Sequence, residues 1–216
     1  MSTAPEILRR TRGALIIDKP AGLPVHAGRA GGPSVEDYFA SWRVGKAGPW
    51  LAHRLDTDTA GCLVIALKKS ALLEMQAAFA SGGVRKTYWA VVQGVPDAAE
   101  GVIEAPLLKK TAGRAWKMVV SPEGQSAVTG WRVLGAAEGR ALVEFSPRTG
   151  RTHQIRVHAA QIGCPIMGDA VYGSGAGRLH LLAKALRLEV AGEVLAAVAP
   201  VPAHMKLAVE ACGGAV

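Results

Sequence analysis

His53-Arg54-Leu55-Asp56-Thr57-Asp58-Thr59-Ala60-Gly61 runs directly into Cys62-Leu63-Val64-Ile65-Ala66-Leu67. A polar segment that ends on glycine and opens an unbroken apolar run predicts a loop feeding a buried strand over 61–67. A carboxylate on such a loop can be held rigidly and partly out of water, as nucleophilic or acid–base chemistry requires. Upstream, 14–19 (Ala-Leu-Ile-Ile-Asp-Lys) predicts a second strand, ended by Pro20-Ala-Gly22.

Working outward, a glycine-rich loop lies over 28–33. Ser34-Val-Glu-Asp37 then opens a helical turn in the manner of a capping box, with Val35, Tyr38, Phe39 and Trp42 on one face as core packing. Downstream of the buried strand, Ser70 is expected to cap a helix carrying Leu72, Met75 and Phe79, stopped by Gly82-Gly83. Strands are predicted over 87–93, 127–134 and 141–146, a helix over 152–162, and a hairpin over 186–199 about Ala191-Gly192. Residues 95–125, with the basic group Lys109, Lys110, Arg114 and Lys117, read as loop. Strands mostly follow strands without a strict βαβ rhythm. The fold class is therefore α+β, a mixed, largely antiparallel β-sheet with flanking helices.

The chain has 216 residues, enough for one domain with a real core, preceded by a short tail over 1–12. Half the residues are apolar and 19% are charged, which excludes wholesale disorder. The net charge is +8, with 15 arginines against 10 lysines, and this points to a polyanionic partner such as nucleic acid. Cys62, Cys164 and Cys212 are odd in number and widely spaced, which fits free thiols in a reducing cytoplasm. The start lacks a signal peptide, and no apolar stretch is long enough to span a bilayer, so the expected setting is cytoplasmic with no membrane partner.

Several motifs fail on inspection. Gly173-Ser-Gly-Ala-Gly177 lacks the spacing of a dinucleotide loop, and no Walker sequence or Gly-x-Ser-x-Gly elbow is present. His153 and His158 stand five apart, a poor spacing for one helix face, so no metal site is expected. No cofactor site is expected either. Besides the Asp56 loop, Arg148-Thr-Gly-Arg151-Thr-His-Gln-Ile-Arg156-Val-His158 packs three arginines at a loop-to-helix junction. On residue types alone two readings stand. An arginine keeps Asp56 ionised in a desolvated pocket, or Asp56 caps its turn and the arginines form solvated salt bridges.

The ordered set His53-Arg-Leu-Asp56-x-x-Thr59-x-Gly61, Arg85-Lys-Thr-Tyr88, Thr149-Gly-Arg-Thr-His-Gln-Ile-Arg-Val-His158, Gly163-x-Pro-Ile-x-Gly-Asp169 and Tyr172-Gly173 resembles the RluA-type pseudouridine synthases. Ile17-Asp-Lys-Pro-Ala-Gly-Leu-Pro-Val-His26 matches the opening of that family, and the resemblance runs over about 14–200. It implies a single catalytic domain of the pseudouridine synthase fold and an isomerase that converts uridine in RNA without a cofactor or metal. The bond from ribose to the uracil nitrogen is broken and remade to carbon five. Asp56 is then the catalytic carboxylate, attacking either the anomeric carbon or the uracil ring. Tyr88 stacks on the target base and assists proton removal at carbon five. Arg156 pairs with the catalytic carboxylate, and Arg54 fills the gap left by the flipped uridine. Arg151 meets phosphate, His53 shapes the loop, and Lys86 joins the RNA-binding set as part of the Lys-x-Tyr segment.

Departures from the family pattern are Ala60 for a serine, Cys164 for a histidine, and Leu182 where histidine is usual, with His180 two places earlier. The small N-terminal RNA-binding domain of many relatives is expected to be missing. The expected partner is a structured RNA, ribosomal rather than transfer RNA, bound by a monomer with no role for DNA. The readings to be set against this are a catalytically inactive RNA-binding relative and a hydrolase using Asp56 with Asp58. That second pair suits facing acid–base roles poorly if the segment is extended.

Overall fold

The computed structural model describes residues 4–28, 31–113 and 115–216. Part of the glycine-rich loop, at 29–30, and Arg114 of the basic group lie outside the described residues. In chain order the elements are β1 (Ile7–Arg10), β2 (Ala14–Lys19), a 3-10 turn (Val35–Tyr38), α1 (Phe39–Trp42), β3 (Trp50–Leu51), β4 (Ala60–Ala66) and α2 (Lys69–Ser81). Strands β5 (Arg85–Gln93), β6 (Glu100–Glu104), β7 (Leu107–Ala112), β8 (Ala115–Val120), β9 (Val128–Ala137) and β10 (Arg140–Pro147) follow. The chain ends with α3 (Gln154–Gln161), β11 (Leu181–Val190), β12 (Glu193–Val198) and α4 (Ala203–Ala211).

Two compact units emerge, and they are interleaved along the chain. One comprises Met1–Lys86 and Ala183–Pro200, the other Thr87–Leu182 and Val201–Val216. In the first unit β2 pairs antiparallel with β1 and with β4, β11 lies beside β4, and β12 pairs antiparallel with β11. Every residue of β4 is buried, as its unbroken apolar run requires. Leu15, Ile16 and Ile17 from β2, Leu63 and Ile65 from β4, and Met75 from α2 are fully buried together with it. In the second unit β5, β10, β9 and β6 form an antiparallel order. Val92, Val143, Phe145, Ile155, Ala159 and Ile166 make its main core.

The strand expected at 14–19 is present with those bounds, those at 61–67, 87–93, 127–134 and 141–146 with shifted ends, and a helix lies within 152–162. The hairpin turns on Ala191 and Gly192, both with positive φ (52° and 72°), the twist a tight antiparallel turn needs. Helix α2 does not start from a Ser70 cap. Lys68 is the extended residue before it and supplies no side-chain bond, whereas Gly82 closes it with φ +76° as anticipated. The larger correction concerns 95–125, which holds three strands rather than a loop. Strand β6 pairs with β9, and β7 and β8 form a separate hairpin. Lysine and alanine disguise these strands, because both are poor strand formers when read singly. The segment read as an N-terminal tail contains β1, and α4 had no counterpart in the sequence reading. No helix among the described residues is long and apolar enough to cross a membrane.

Candidate active site

In the first unit the site begins with Lys19, which ends the apolar strand β2 and is fully buried. Its ammonium donates to the carbonyls of Pro20 at 3.0 Å, Leu23 at 2.8 Å and Thr57 at 2.9 Å. All three ammonium protons therefore have acceptors, and one of these acceptors is the residue next to Asp56. Gly22 N–H also donates to the Thr57 carbonyl at 2.9 Å, and Thr59 N–H closes the turn onto the Asp56 carbonyl at 3.2 Å. The loop is thus clamped at and just after Asp56, whose side chain is half-buried, while Arg54 is exposed. Burial pulls Lys19 down to about 8, against the opposing pull of Asp58, Asp56 and Asp18.

His53 stands at the loop's entry. Its Nε2 accepts the N–H of Val64 in β4 at 3.0 Å, and its ring stacks on Phe79 of α2 with centroids 4.6 Å apart. Because Nε2 accepts, the neutral ring carries its proton on Nδ1. Burial, with the charge of Lys86 added, lowers this histidine to about 3. Burial likewise lowers Lys86 itself. His53 is a neutral brace between loop, strand and helix.

In the second unit Tyr88 lies on β5 opposite Phe145 of β10, half-buried against the core. The arginine-rich turn is organised by Gln154, a buried side chain whose Oε1 accepts from Thr149 Oγ1 at 2.8 Å and Arg151 N at 2.9 Å. Its Nε2 donates to Val128 O at 3.0 Å and Thr129 Oγ1 at 2.9 Å. His158 backs this network, with Nε2 donating to Ala105 O at 3.0 Å and Nδ1 accepting from Thr129 Oγ1 at 2.8 Å. Arg151 is exposed, and its Nε donates to Ser126 O at 3.0 Å.

Arg156 is buried on α3 and bonds Asp169 through Nε at 2.7 Å and Nη2 at 2.8 Å. Asp169 Oδ1 also accepts the N–H groups of Val171 and Tyr172 at 2.9 and 3.0 Å, so the following turn is wrapped around the carboxylate. Burial by itself raises the Asp169 carboxyl, but the Arg156 bond and charge with the two N–H donors outweigh it and hold the group below its ordinary value. The Arg156 guanidinium lies 5.2 Å from the centroid of the Tyr172 ring. Tyr172 hydroxyl accepts Met118 N–H at 2.9 Å and lies 2.8 Å from His153 Nδ1.

The seven residues singled out by sequence divide between the units. His53, Arg54, Asp56 and Lys86 belong to the first, and Tyr88, Arg151 and Arg156 to the second. Lys19, Gln154, Asp169 and Tyr172 were not assigned roles from sequence. Lys19 had a readable signal, since a lone cation ending an apolar strand must find acceptors when buried. Among the described residues no group of three or more His, Cys, Asp or Glu side chains could hold a metal ion. Cys62, Cys164 and Cys212 are buried free thiols.

A family model described as RNA pseudouridylate synthase matches residues 13–161. An uncharacterised RNA pseudouridine synthase of Zymomonas mobilis is 50% identical over 164 residues, which cover 74% of this chain and 75% of the relative. The ribosomal large subunit pseudouridine synthase C of Vibrio cholerae is 41% identical over 159 residues, covering 74% of this chain but 50% of that protein. The human RNA pseudouridylate synthase domain containing 4 superposes with a TM-score of 0.82 at 29% identity, covering 96% of this chain and 93% of that one. With a family model over most of its length and a half-identical relative over three-quarters of that protein, the chain belongs to the RNA pseudouridine synthase family.

Proposed function

We propose that this isomerase works through Asp56 on a uridine of structured ribosomal RNA, with the interleaved units serving as one catalytic domain. The observation that carries the reading is the clamp on the Asp56 loop, in which Lys19 binds the Thr57 carbonyl and Gly22 N–H shares it. A nucleophile fixed in this way loses little entropy when it meets the reacting atom. The Asp56 carboxylate attacks the sugar or the ring, the bond from ribose to the uracil nitrogen breaks, the freed uracil rejoins through carbon five, and the bond to Asp56 is cleaved to release the carboxylate. The carbon-five proton is then lost and the nitrogen gains one, so the reaction balances without a redox partner. Tyr88 stacks on the base and assists at carbon five, and Arg156 pairs with the Asp56 carboxylate. Arg54 occupies the vacated stack, and Arg151, His53 and Lys86 complete the RNA-binding set.

Ribosomal RNA is favoured because one of the relatives named above is a ribosomal large subunit pseudouridine synthase C, and transfer RNA is the other substrate to test. The protein acts in the cytoplasm as a monomer, with no DNA partner. The test is to incubate RNA from cells lacking the gene with wild type and with Asp56→Asn, and to map pseudouridine by carbodiimide-dependent reverse-transcription stops. New pseudouridine with wild type alone supports the reading. Release of free uracil supports the hydrolase, and retention of RNA without product supports the inactive relative.

A further inference from the structure

The β7–β8 hairpin carries Lys109, Lys110 and Lys117, and no acidic residue stands between Glu104 and Glu123. Its register sets Lys110 directly opposite Lys117. Both are exposed, and neither has an ion-pair or hydrogen-bond partner among the described residues. Like charges directly across an antiparallel pair weaken it, so this arrangement costs stability until an anion joins it. The other face of the hairpin carries Leu107, Lys109, Trp116 and Met118. Leu107 and Met118 are buried beneath it, whereas Trp116 is 41% exposed.

Trp116 is held in place from below. His153 stacks on its ring with centroids 5.0 Å apart and planes 25° from parallel. His153, the residue that opens α3, stands at φ +54°, a left-handed conformation uncommon for a residue with a side chain. The imidazole is fixed there by the Tyr172 hydroxyl at 2.8 Å, and that hydroxyl also anchors β8 through Met118 N–H. These contacts set the angle of an exposed indole. The Lys109 ammonium lies 4.6 Å from the Trp116 ring centroid.

Resting on the RNA-isomerase reading, we infer that Trp116 and Lys109 form a subsite for an unpaired nucleotide of the RNA, separate from the target uridine, and that Lys110 and Lys117, on the opposite face of the hairpin, meet phosphates further along the same strand. The base stacks on the indole, and its flanking phosphate meets Lys109. An exposed cation–π contact is weaker than base–aromatic stacking, so Lys109 swings off the ring toward a phosphate when the base arrives. An acidic protein segment would satisfy the lysines but has no ring to place on a fixed indole, which is why RNA is favoured.

The test measures binding of a short labelled oligouridylate, with a polyglutamate peptide as competitor. Trp116→Ala is expected to weaken oligouridylate binding about tenfold, and Trp116→Phe to recover most of the loss. Lys110→Ala with Lys117→Ala should reduce the slope of log affinity against log salt by about 1.4. Wild-type affinity in a Trp116→Ala protein of unchanged melting temperature overturns the subsite. So does an unaltered salt slope, or displacement of the oligouridylate by polyglutamate at matched charge. Pseudouridine mapping on cellular RNA separates this from the parent reading. Binding losses without any wild-type pseudouridine leave the subsite standing and remove the isomerase, whereas pseudouridine with intact Trp116→Ala binding does the reverse.

Discussion

Asp169 receives Arg156 through two hydrogen bonds, at 2.7 and 2.8 Å, and both side chains are buried. The two nitrogens and two oxygens lie fork to fork, so the guanidinium plane is fixed as well as its position. This pair is the rigid base on which the second unit's candidate site stands, and it governs acid stability too.

Asp169→Asn removes the buried carboxylate that Arg156 bonds through two nitrogens and should cost about 3–5 kcal/mol. Because the folded carboxyl is held below 3.8, the pair's contribution is complete above that ordinary value and is lost as pH falls through the lower folded value. Urea unfolding near neutrality and in acid checks both parts. Asp169→Asn should be weaker near neutrality and lose less than wild type on acidification.

Asp56→Asn keeps the shape of the loop and its Lys19–Thr57 bond but removes the nucleophile. Pseudouridine formation should fall by more than about a thousandfold, with melting temperature and RNA affinity near those of wild type. Turnover within tenfold of wild type removes Asp56 from the role.

Lys19→Met strips the carbonyls of Pro20, Leu23 and Thr57 of a common donor. The freed loop should lower the single-turnover rate about a hundredfold. The variant should also show a missing pH response. Unfolded lysine keeps its proton to 10.5 but folded Lys19 only to about 8, so between these values the unfolded chain binds more protons and wild-type stability rises with pH. Paired unfolding curves should show about 3 kcal/mol of that rise absent from Lys19→Met.

Arg156→Ala and Arg54→Ala should fail differently. Loss of Arg156 should collapse chemistry at saturating RNA, because the guanidinium proposed to pair with Asp56 is gone. Loss of Arg54 should be repaired on a substrate whose target uridine is already unstacked. Equal defects on stacked and unstacked targets exclude the wedge role, and near-normal single-turnover chemistry in Arg156→Ala moves the ion-pair role to Arg151.

The sequence was legible where one physical demand dominated. An unbroken run such as Cys62 to Leu67 has no environment except a buried strand, and Gly82 or Ala191-Gly192 have few uses except to end or reverse one. It was illegible where pairing decided. Strands β6 to β8 exist because Val102 faces Gly130 and Lys109 faces Met118, and no local pattern announces such partners. The same holds for the site. Asp56 and Arg156 stand in dense polar motifs, but the bond of Lys19 to Thr57 joins residues 38 positions apart and that of Arg156 to Asp169 depends on a turn. A buried partner is a fact of three dimensions.

The interleaving of the two units bears on how the molecule is made. The first unit needs Ala183–Pro200 beside residues before 87, and the second needs Val201–Val216 beside residues from 87 onward. A growing chain on the ribosome can therefore complete the first unit only once residue 200 has emerged, and the second only once residue 216 has. The apolar strands β2 and β4 must wait, exposed, for β11, which lies beside β4. Pairings between residues so far apart in sequence form late and leave partly made sheet edges open to misassembly in the meantime.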